Sequence, residues 1–236
     1  YITPKLSDII IRGAEQIHLF DTPLLVCRNS GLSAESLIIK RAFDILLSAL
    51  GCIVTSPIML ITALCIKLYD GGPVFYTQDR LTRDGKVFKV YKFRSMKTDA
   101  EKDGVARLAG EHDDRITPVG RVIRKVRIDE LPQLLNILKG DMSIVGPRPE
   151  RPELASENEK IMPEFRYRLK VKAGLTGYAQ VLGKYNTTPY DKLRLDLMYI
   201  EQYSLLLDIK LILMTIKILF IPESTCLLYT SDAADD

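Results

Sequence analysis

From Ile45 to Ile66 the chain runs for 22 residues without a charge (ILLSALGCIVTSPIMLITALCI), between Lys40, Arg41 and Asp44 before it and Lys67 and Asp70 after it. A bilayer core of roughly 30 Å is crossed by about 20 helical residues, so this stretch is long enough to span one. The central helix of a water-soluble core is the alternative, and the run is at the long end for that. Two details argue against a plain crossing. Ser56-Pro57 sits at the midpoint, and proline lacks an N–H and collides with the carbonyl four residues back, at Ile53, so a kink is expected there. A neighbouring hydroxyl can satisfy the freed carbonyl, which makes such a break tolerable in lipid. The other detail is charge. Both flanks carry cations, and everything downstream is rich in Lys and Arg, so the positive-inside rule finds no asymmetry to orient a crossing. A broken helix over residues 37–70 that dips in and returns to the same face meets both points, and this re-entrant reading is the favoured one.

Composition narrows the rest. With 47% hydrophobic and 27% charged residues in 236, the chain is no disordered, collagen-like or disulfide-scaffold protein, and it is long enough to bury a full core. The 33 basic and 30 acidic residues leave a net charge of +3, too little to argue for a nucleic-acid partner. Four cysteines (Cys27, Cys52, Cys65, Cys226) form no C-x-x-C pair, and the only histidines are His18 and His112. That usage suits a reducing cytosol, supplies no zinc-site spacing, and leaves little for hydrolysis through a histidine base. The chain opens on Tyr1 without a Met or a signal peptide, so a fragment of a longer protein is expected.

The patterning predicts an α+β fold, mostly helical with a small sheet. Residues 1–36, with an apolar Pro23–Val26 run, read as the end of an upstream domain plus a linker. Residues 71–222 read as a catalytic domain with interfacial helices. Gly71-Gly72-Pro73 makes a turn, and Val74–Gln78 and Val87–Met96 read as strands around a Thr82–Lys86 turn. Thr98–Asp114 is polar and aperiodic, a loop. Val119–Val126 reads as a basic helix, Leu131–Leu138 as a short helix closed by Gly140, and Met142–Val145 as a strand. Residues 157–170 and 189–204 read as helices with Gly174–Val181 extended between them. Leu205–Ile221 is apolar but carries Asp208, Lys210 and Lys217 and stops at Pro222. It is either an amphipathic helix in the membrane interface or a core-packing helix. Cys226–Asp236 (CLLYTSDAADD) continues none of these patterns, and residues 223–236 are read as an atypical tail.

Three basic or acidic clusters carry the chemistry. Arg115–Arg127 holds Arg115, Arg121, Arg124, Lys125 and Arg127 and no acid. Asp129-Glu130-Leu131-Pro132 follows, with Asp129 placed as an N-cap and Pro132 in the first turn. A solvated basic face and a structural cap would explain both. The chemical alternative uses the same geometry, because a helix N-terminus seats phosphate and holds a carboxylate ionised beside it. Adjacent carboxylates in a helical turn point about 100° apart, so Asp129 and Glu130 are expected to take separate roles rather than share a proton. A carboxylate can attack phosphorus, and neighbouring cations spread the charge that develops on the phosphoryl oxygens. In Gly146-Pro147-Arg148-Pro149-Glu150, two prolines fix the backbone around one arginine, suited to two-point contact with phosphate. Lys92-Phe93-Arg94-Ser95-Met96 adds a basic strand edge.

Taken in order, Lys40-Arg41-x-Phe43-Asp44, Ser56-Pro57, Lys92-Phe93-Arg94-Ser95-Met96, Asp129-Glu130-Leu131-Pro132-Gln133, Gly146-Pro147-Arg148-Pro149 and Gly174-Leu175-Thr176-Gly177 resemble the motif series of bacterial sugar transferases. These are the monotopic polyprenyl-phosphate phosphoglycosyl transferases, and the likeness covers about residues 38 to 222, with residues 1–36 resembling the remnant of the upstream part found in the larger glucose and galactose phosphotransferase members. The resemblance implies transfer of a sugar 1-phosphate from a UDP-sugar to undecaprenyl phosphate on the cytoplasmic face of the bacterial inner membrane, the first membrane step of surface glycan assembly. It implies Asp129 as nucleophile with Glu130 as catalytic partner, and Mg²⁺ as the metal, held through Asp129 or Glu130. Arg124 and Arg148 match phosphate-contacting arginines, with Lys92 and Arg94 beside them. Ser56 and Pro57 match the helix-breaking dipeptide that keeps the chain in one leaflet. The implied scheme is ping-pong through a phosphosugar on Asp129. The loop Thr98–Asp114 and the region Tyr185–Asp191 are candidates for choosing the sugar. Two other readings compete. A CDP-alcohol phosphatidyltransferase would need several spans and a D-G-x-x-A-R type motif, which the sequence lacks. A non-catalytic module docked on anionic lipid would use the arginines without Asp129.

Overall fold

A computed structural model describes the backbone of residues 15–19 and 22–26, and residues 34–98, 100, 113–183 and 187–219. The expectations for residues 1–14, most of the Thr98–Asp114 loop, Tyr185 and the 223–236 tail lie outside the described residues. Strands β1 (Glu15–Leu19) and β2 (Thr22–Val26) pair as an antiparallel hairpin. Helix α1 (Ala34–Asp70) leads into a second hairpin of β3 (Phe75–Leu81) and β4 (Val87–Phe93), in register from Phe75↔Phe93 to Leu81↔Val87. Its turn places Asp84 (φ 61°) and Gly85 (φ 71°) in the left-handed region. Helices α2 (Pro118–Lys125) and α3 (Gln133–Lys139) precede strand β5 (Ser143–Val145), which pairs in parallel with β6 (Gly174–Thr176). Between them lie α4 (Pro152–Ile161) and a 3₁₀ stretch, Pro163–Lys170; after them come α5 (Tyr178–Leu182), α6 (Pro189–Glu201) and α7 (Leu205–Leu219).

The α+β expectation holds in this mostly helical body with small sheets. Two boundaries move for local reasons. The helix expected over 157–170 starts earlier and splits, because Pro163 cannot donate to the α ladder and opens a separate 3₁₀ segment. The extended stretch expected over 174–181 is a three-residue strand followed by α5.

Helix α1 is inside out for a water-soluble protein. Its buried positions Lys40, Asp44 and Ser48 recur every four residues, so the inward stripe is polar. Leu46, Ile53 and Leu60, seven apart on the opposite side, are 67%, 71% and 72% exposed. A helix packed within the core of this chain would show the reverse. The element is the one described helix long and apolar enough to cross a membrane. It also continues through Pro57 without interruption. Ser56 Oγ donates to the Ile53 carbonyl at 2.8 Å, replacing the N–H that proline lacks, and Thr55 Oγ1 donates to the Gly51 carbonyl at 2.7 Å. The expected break is thus a substituted hydrogen bond inside one helix.

The polar stripe is what docks α1 onto the rest. Lys40 Nζ meets Asp208 Oδ2 of α7 at 2.7 Å and donates to the Tyr199 hydroxyl of α6 at 3.1 Å. The Tyr199 hydroxyl in turn donates to Asp208 Oδ1 at 2.8 Å. Arg41 donates to the carbonyls of Ile137 and Leu138 at 2.6 and 2.7 Å, capping the end of α3. Asp44 Oδ1 accepts from Ser143 Oγ at 3.1 Å and from the Ile144 N–H at 2.9 Å on β5. Contact continues toward the C-terminal end. Gly51 leaves room for Leu134, Ile66 packs with Phe93 and Ile123, and Asp70 pairs with Arg94. Both ends of α1 therefore rest on the same folded body. The main core lies beneath, where Ile137, Met142, Val145, Leu193, Tyr199 and Leu211 bring α3, β5, α6 and α7 together.

Removing one member of a buried ion pair strands the other, at a cost of about 3–5 kcal/mol. Lys40→Met is expected to lower the thermal unfolding midpoint of the detergent-solubilised chain sharply, and Lys40→Met with Asp208→Leu to recover most of it. A single variant as stable as the parent would refute this role.

Candidate active site

The acidic pair sits on a turn built by backbone rather than on a helix cap. Helix α2 starts at Thr117, whose Oγ1 accepts from the Gly120 N–H at 2.9 Å, and the helix fades at Val126. Arg127 then adopts left-handed φ 58°, ψ 20°, which reverses the chain into a 3₁₀ turn, Ile128–Glu130. For a non-glycine residue that conformation costs roughly 1–2 kcal/mol, so the surroundings must hold it there. The cap of α3 is Pro132, and no side chain caps it. The expected N-cap role of Asp129 is thereby corrected. What survives is the divergence of the two carboxylates, since successive side chains of a 3₁₀ turn with three residues per turn point about 120° apart.

That divergence sends them to different cavities. Half-buried Asp129 borders a cleft of about 260 Å³ whose lining includes Lys92, Arg94, Arg115, Arg124 and Arg151. Phe75, Tyr76 and Phe93 supply its aromatic wall, with Phe75 and Phe93 stacked 5.4 Å apart. Three of the expected phosphate contacts, Lys92, Arg94 and Arg124, converge here. Arg94 is buried and also pairs with Asp70, so it ties the end of α1 to the cleft floor. Arg151 is an addition that sequence reasoning passed over; its only signal is its place directly after Glu150 and before Pro152.

Glu130 faces away from this cleft and is buried. Its carboxylate lies 3.2 Å from Lys92 Nζ, 3.3 Å from Arg127 Nη1 and 3.6 Å from Arg148 Nη2. Burial alone would push its pKa up. The three cations outweigh that and hold the carboxyl below the ordinary range. Glu130 is therefore ionised at neutral pH and no proton donor there. It borders a second cavity of about 220 Å³ together with Arg127 and Arg148. Lys92 lines the first cleft and pairs with Glu130 of the second, so the two spaces adjoin at the Asp129–Glu130 turn.

The loop carrying Arg148 is held carbonyl by carbonyl. Pro147 O accepts from the Gly174 N–H at 2.8 Å and Arg148 O from Arg168 Nη2 at 3.0 Å. Pro149 O accepts from Arg80 Nη1 at 3.1 Å and Glu150 O from the Leu81 N–H at 2.9 Å. Arg168 is itself clamped by Glu150 and by Asp196, whose Oδ2 lies 2.9 Å from its Nη2. Burial pushes the Asp196 carboxyl up to about 6, against the pull of Arg168. Glycine is required where this loop meets β6, since a Cβ on Gly146 or Gly174 would sit 2.4 or 2.1 Å from backbone atoms. Two prolines, four occupied carbonyls and a close backbone contact leave Arg148 little freedom to lose on binding an anion.

Asn136 aligns the other side. Its Oδ1 accepts from the Tyr91 N–H at 2.9 Å and its Nδ2 donates to the Lys89 carbonyl at 2.8 Å. That fixes α3 to β4, the strand that presents Lys92. Among the described residues no group of three or more His, Cys, Asp or Glu gathers as an all-protein metal site.

These features have counterparts in known proteins. The sequence pattern of the bacterial sugar transferase family matches residues 35–222. The chain is 44% identical over 220 residues to a UDP-N-acetylgalactosamine-undecaprenyl-phosphate N-acetylgalactosaminephosphotransferase of Aeromonas hydrophila, covering 92% of this chain and 51% of that protein. It is 39% identical over 211 residues to the UDP-glucose:undecaprenyl-phosphate glucose-1-phosphate transferase of Escherichia coli K12, covering 87% and 44%. A shorter protein of Bacillus subtilis, named a putative undecaprenyl-phosphate N-acetylgalactosaminyl 1-phosphate transferase, is 46% identical over 157 residues, covering 66% of this chain and 83% of its own length. The chain spans about half the length of the longer relatives. A match over most of its residues, at such identities, makes it a member of the bacterial sugar transferase family.

Proposed function

We propose that the chain transfers a sugar 1-phosphate from a UDP-sugar to undecaprenyl phosphate at the cytoplasmic face of the bacterial inner membrane. The observation that carries this reading is the partition of Asp129 into a cleft lined by six cations, Lys97 among them, while the adjoining Glu130 is locked in an ion-pair cluster. The relatives named above act on UDP-linked sugars and undecaprenyl phosphate by their names, and the cleft has the cations for a diphosphate and aromatic rings for a base.

In the first half-reaction an Asp129 carboxylate oxygen attacks the β-phosphorus of the UDP-sugar. The new O–P bond forms as the bond from that phosphorus to the bridging oxygen breaks, and UMP leaves with the bridging oxygen. Lys92, Arg94, Arg115, Arg124 and Arg151 spread the charge that builds on the phosphoryl oxygens. In the second half an oxygen of the acceptor phosphate displaces Asp129 from the same phosphorus, giving a lipid diphosphate sugar and the free carboxylate. No net proton is needed from the protein in either half. Glu130 positions Lys92, Arg127 and Arg148 rather than reacting.

Mg²⁺ fits Asp129 better than Glu130. Mg²⁺ is commonly held by one or two carboxylates plus substrate phosphates, which Asp129 in its open cleft allows. Glu130 already faces three cations, and a fourth positive charge there is repelled. Held through Asp129 and phosphate oxygens, the ion would neutralise the diphosphate.

The membrane arrangement belongs to the same proposal. Both ends of α1 rest on one folded body, whereas a crossing helix would carry them to opposite faces. The outward stripe of Leu46, Ile53 and Leu60 is then immersed from one side, with Pro57 as the site of any bend. This supports a monotopic, re-entrant placement.

Incubation with UDP-sugar alone is expected to leave one sugar phosphate on Asp129, read as an added mass on the intact protein, and none on Asp129→Asn. A wild-type chain that forms no adduct, or an Asp129→Asn chain with full turnover, would sink the scheme; binding to anionic lipid with neither activity would favour the non-catalytic module. Arg127→Gly separates strain from charge. Glycine keeps the left-handed backbone without steric cost, yet the change removes a cation beside buried Glu130, so both thermal stability and turnover should fall. Equal turnover would refute the electrostatic role of Arg127.

A further inference from the structure

The cavity beside Glu130 has a construction that the donor chemistry leaves unused. One end is ionic. Arg127 and Arg148 line it beside Glu130, and their guanidinium groups offer the two-point donors that suit a phosphate monoester. The remaining walls are apolar, from Ile144 and Leu175 on the β5–β6 pair, Val181 on α5, and Ile212 and Ile216 on α7. The α7 wall is tied to the parallel sheet by a 2.6 Å hydrogen bond between the hydroxyls of Thr176 and Thr215. It is held from below by the Asp208–Lys40 pair.

The apolar end is not sealed. Ile216 lines the cavity yet is 46% exposed, and it continues an outward stripe on α7 through Ile209 and Leu213, at i, i+4 and i+7. The expectation for α7 offered an interfacial helix or a core helix. One side packs inward at Asp208 and Leu211 while this apolar stripe faces out. A ligand with an anionic head and an apolar tail would place the head at Arg127 and Arg148 and leave along α7 toward lipid.

We propose that this second cavity is the acceptor seat, taking the phosphate of a polyprenyl phosphate at Arg127 and Arg148 and its first apolar units between α5 and α7. The assignment rests on the transferase reading and adds to it where the acceptor lies. It also gives α7 a role in acceptor recognition. Charge complementarity at one end and continuity with an exposed apolar stripe at the other favour this occupant over a soluble phosphate.

The test uses the full chain in nanodiscs of neutral phosphatidylcholine with a diazirine-bearing farnesyl phosphate. Cross-links are expected on residues 175–181 and 211–218, competed by unlabelled farnesyl phosphate and not by phosphatidate. Cross-links confined to α1, or equal competition by phosphatidate, would overturn the assignment, the latter by revealing a general anionic-lipid seat. In parallel, Ile212→Trp fills the cavity. It is expected to raise the KM for farnesyl phosphate about tenfold or more, the scale of lost apolar pocket contacts. Exchange of labelled UMP into UDP-sugar, which needs no acceptor, should stay unchanged. An unaltered acceptor KM, or equal loss of exchange and acceptor use with cross-links lying elsewhere, would refute it. Absence of an Asp129 adduct would defeat the transferase reading, whereas an adduct combined with misplaced cross-links would defeat this inference alone.

Discussion

A helix that turns its apolar side outward must bury its polar side, and that requirement organises the whole molecule. Buried charge is tolerated only when paired and hydrogen-bonded. Lys40, Arg41 and Asp44 meet that condition through Asp208, Tyr199, the end of α3 and the start of β5. These partners come from four different elements, so docking α1 also fixes α3, β5, α6 and α7 relative to one another. The core beneath is assembled from the same elements. The outward apolar side of α1 and the organisation of the folded body thus depend on one set of contacts.

The same logic of compensated charge shapes the site. Two neighbouring carboxylates would repel each other and raise each other's pKa if they shared a space. The left-handed Arg127 and the following 3₁₀ turn avoid this by separating them into adjoining cavities. Glu130 is neutralised by Lys92, Arg127 and Arg148 and serves as the hub that orders those cations. Asp129 is left bordering the open cleft, away from the second acid. Arg148 gains its fixed position from bonds to its backbone neighbours, so its guanidinium remains available for the ionic cluster.

Much of this was readable from residue order. The β3–β4 hairpin, α2, the short α3 closed by Gly140 and the strand before Gly146 follow from alternation, apolar spacing and turn residues. Lys92, Arg94 and Arg124 were expected to act with Asp129, and they share its cleft. The helix-cap role of Asp129 was the natural local reading of Asp-Glu-Leu-Pro, and it failed because Arg127 takes a left-handed conformation that only its tertiary surroundings stabilise. The Pro163 split was legible in principle, since proline interrupts an α ladder. Arg151 left almost no signal, being one arginine in a chain with 33 basic residues.

The sequence by itself determined that an uncharged run of helix-forming residues had to meet something apolar, that Ser56 could replace the donor Pro57 lacks, and that cations cluster around an acidic pair. These are properties of composition and near neighbours along the chain. Only the tertiary structure decided which side of α1 faces inward, that Lys40 is answered by Asp208 across 168 positions, and that Asp129 and Glu130 open onto separate spaces. Those outcomes depend on long-range pairing and on the hand of a single backbone turn, quantities that no local pattern encodes.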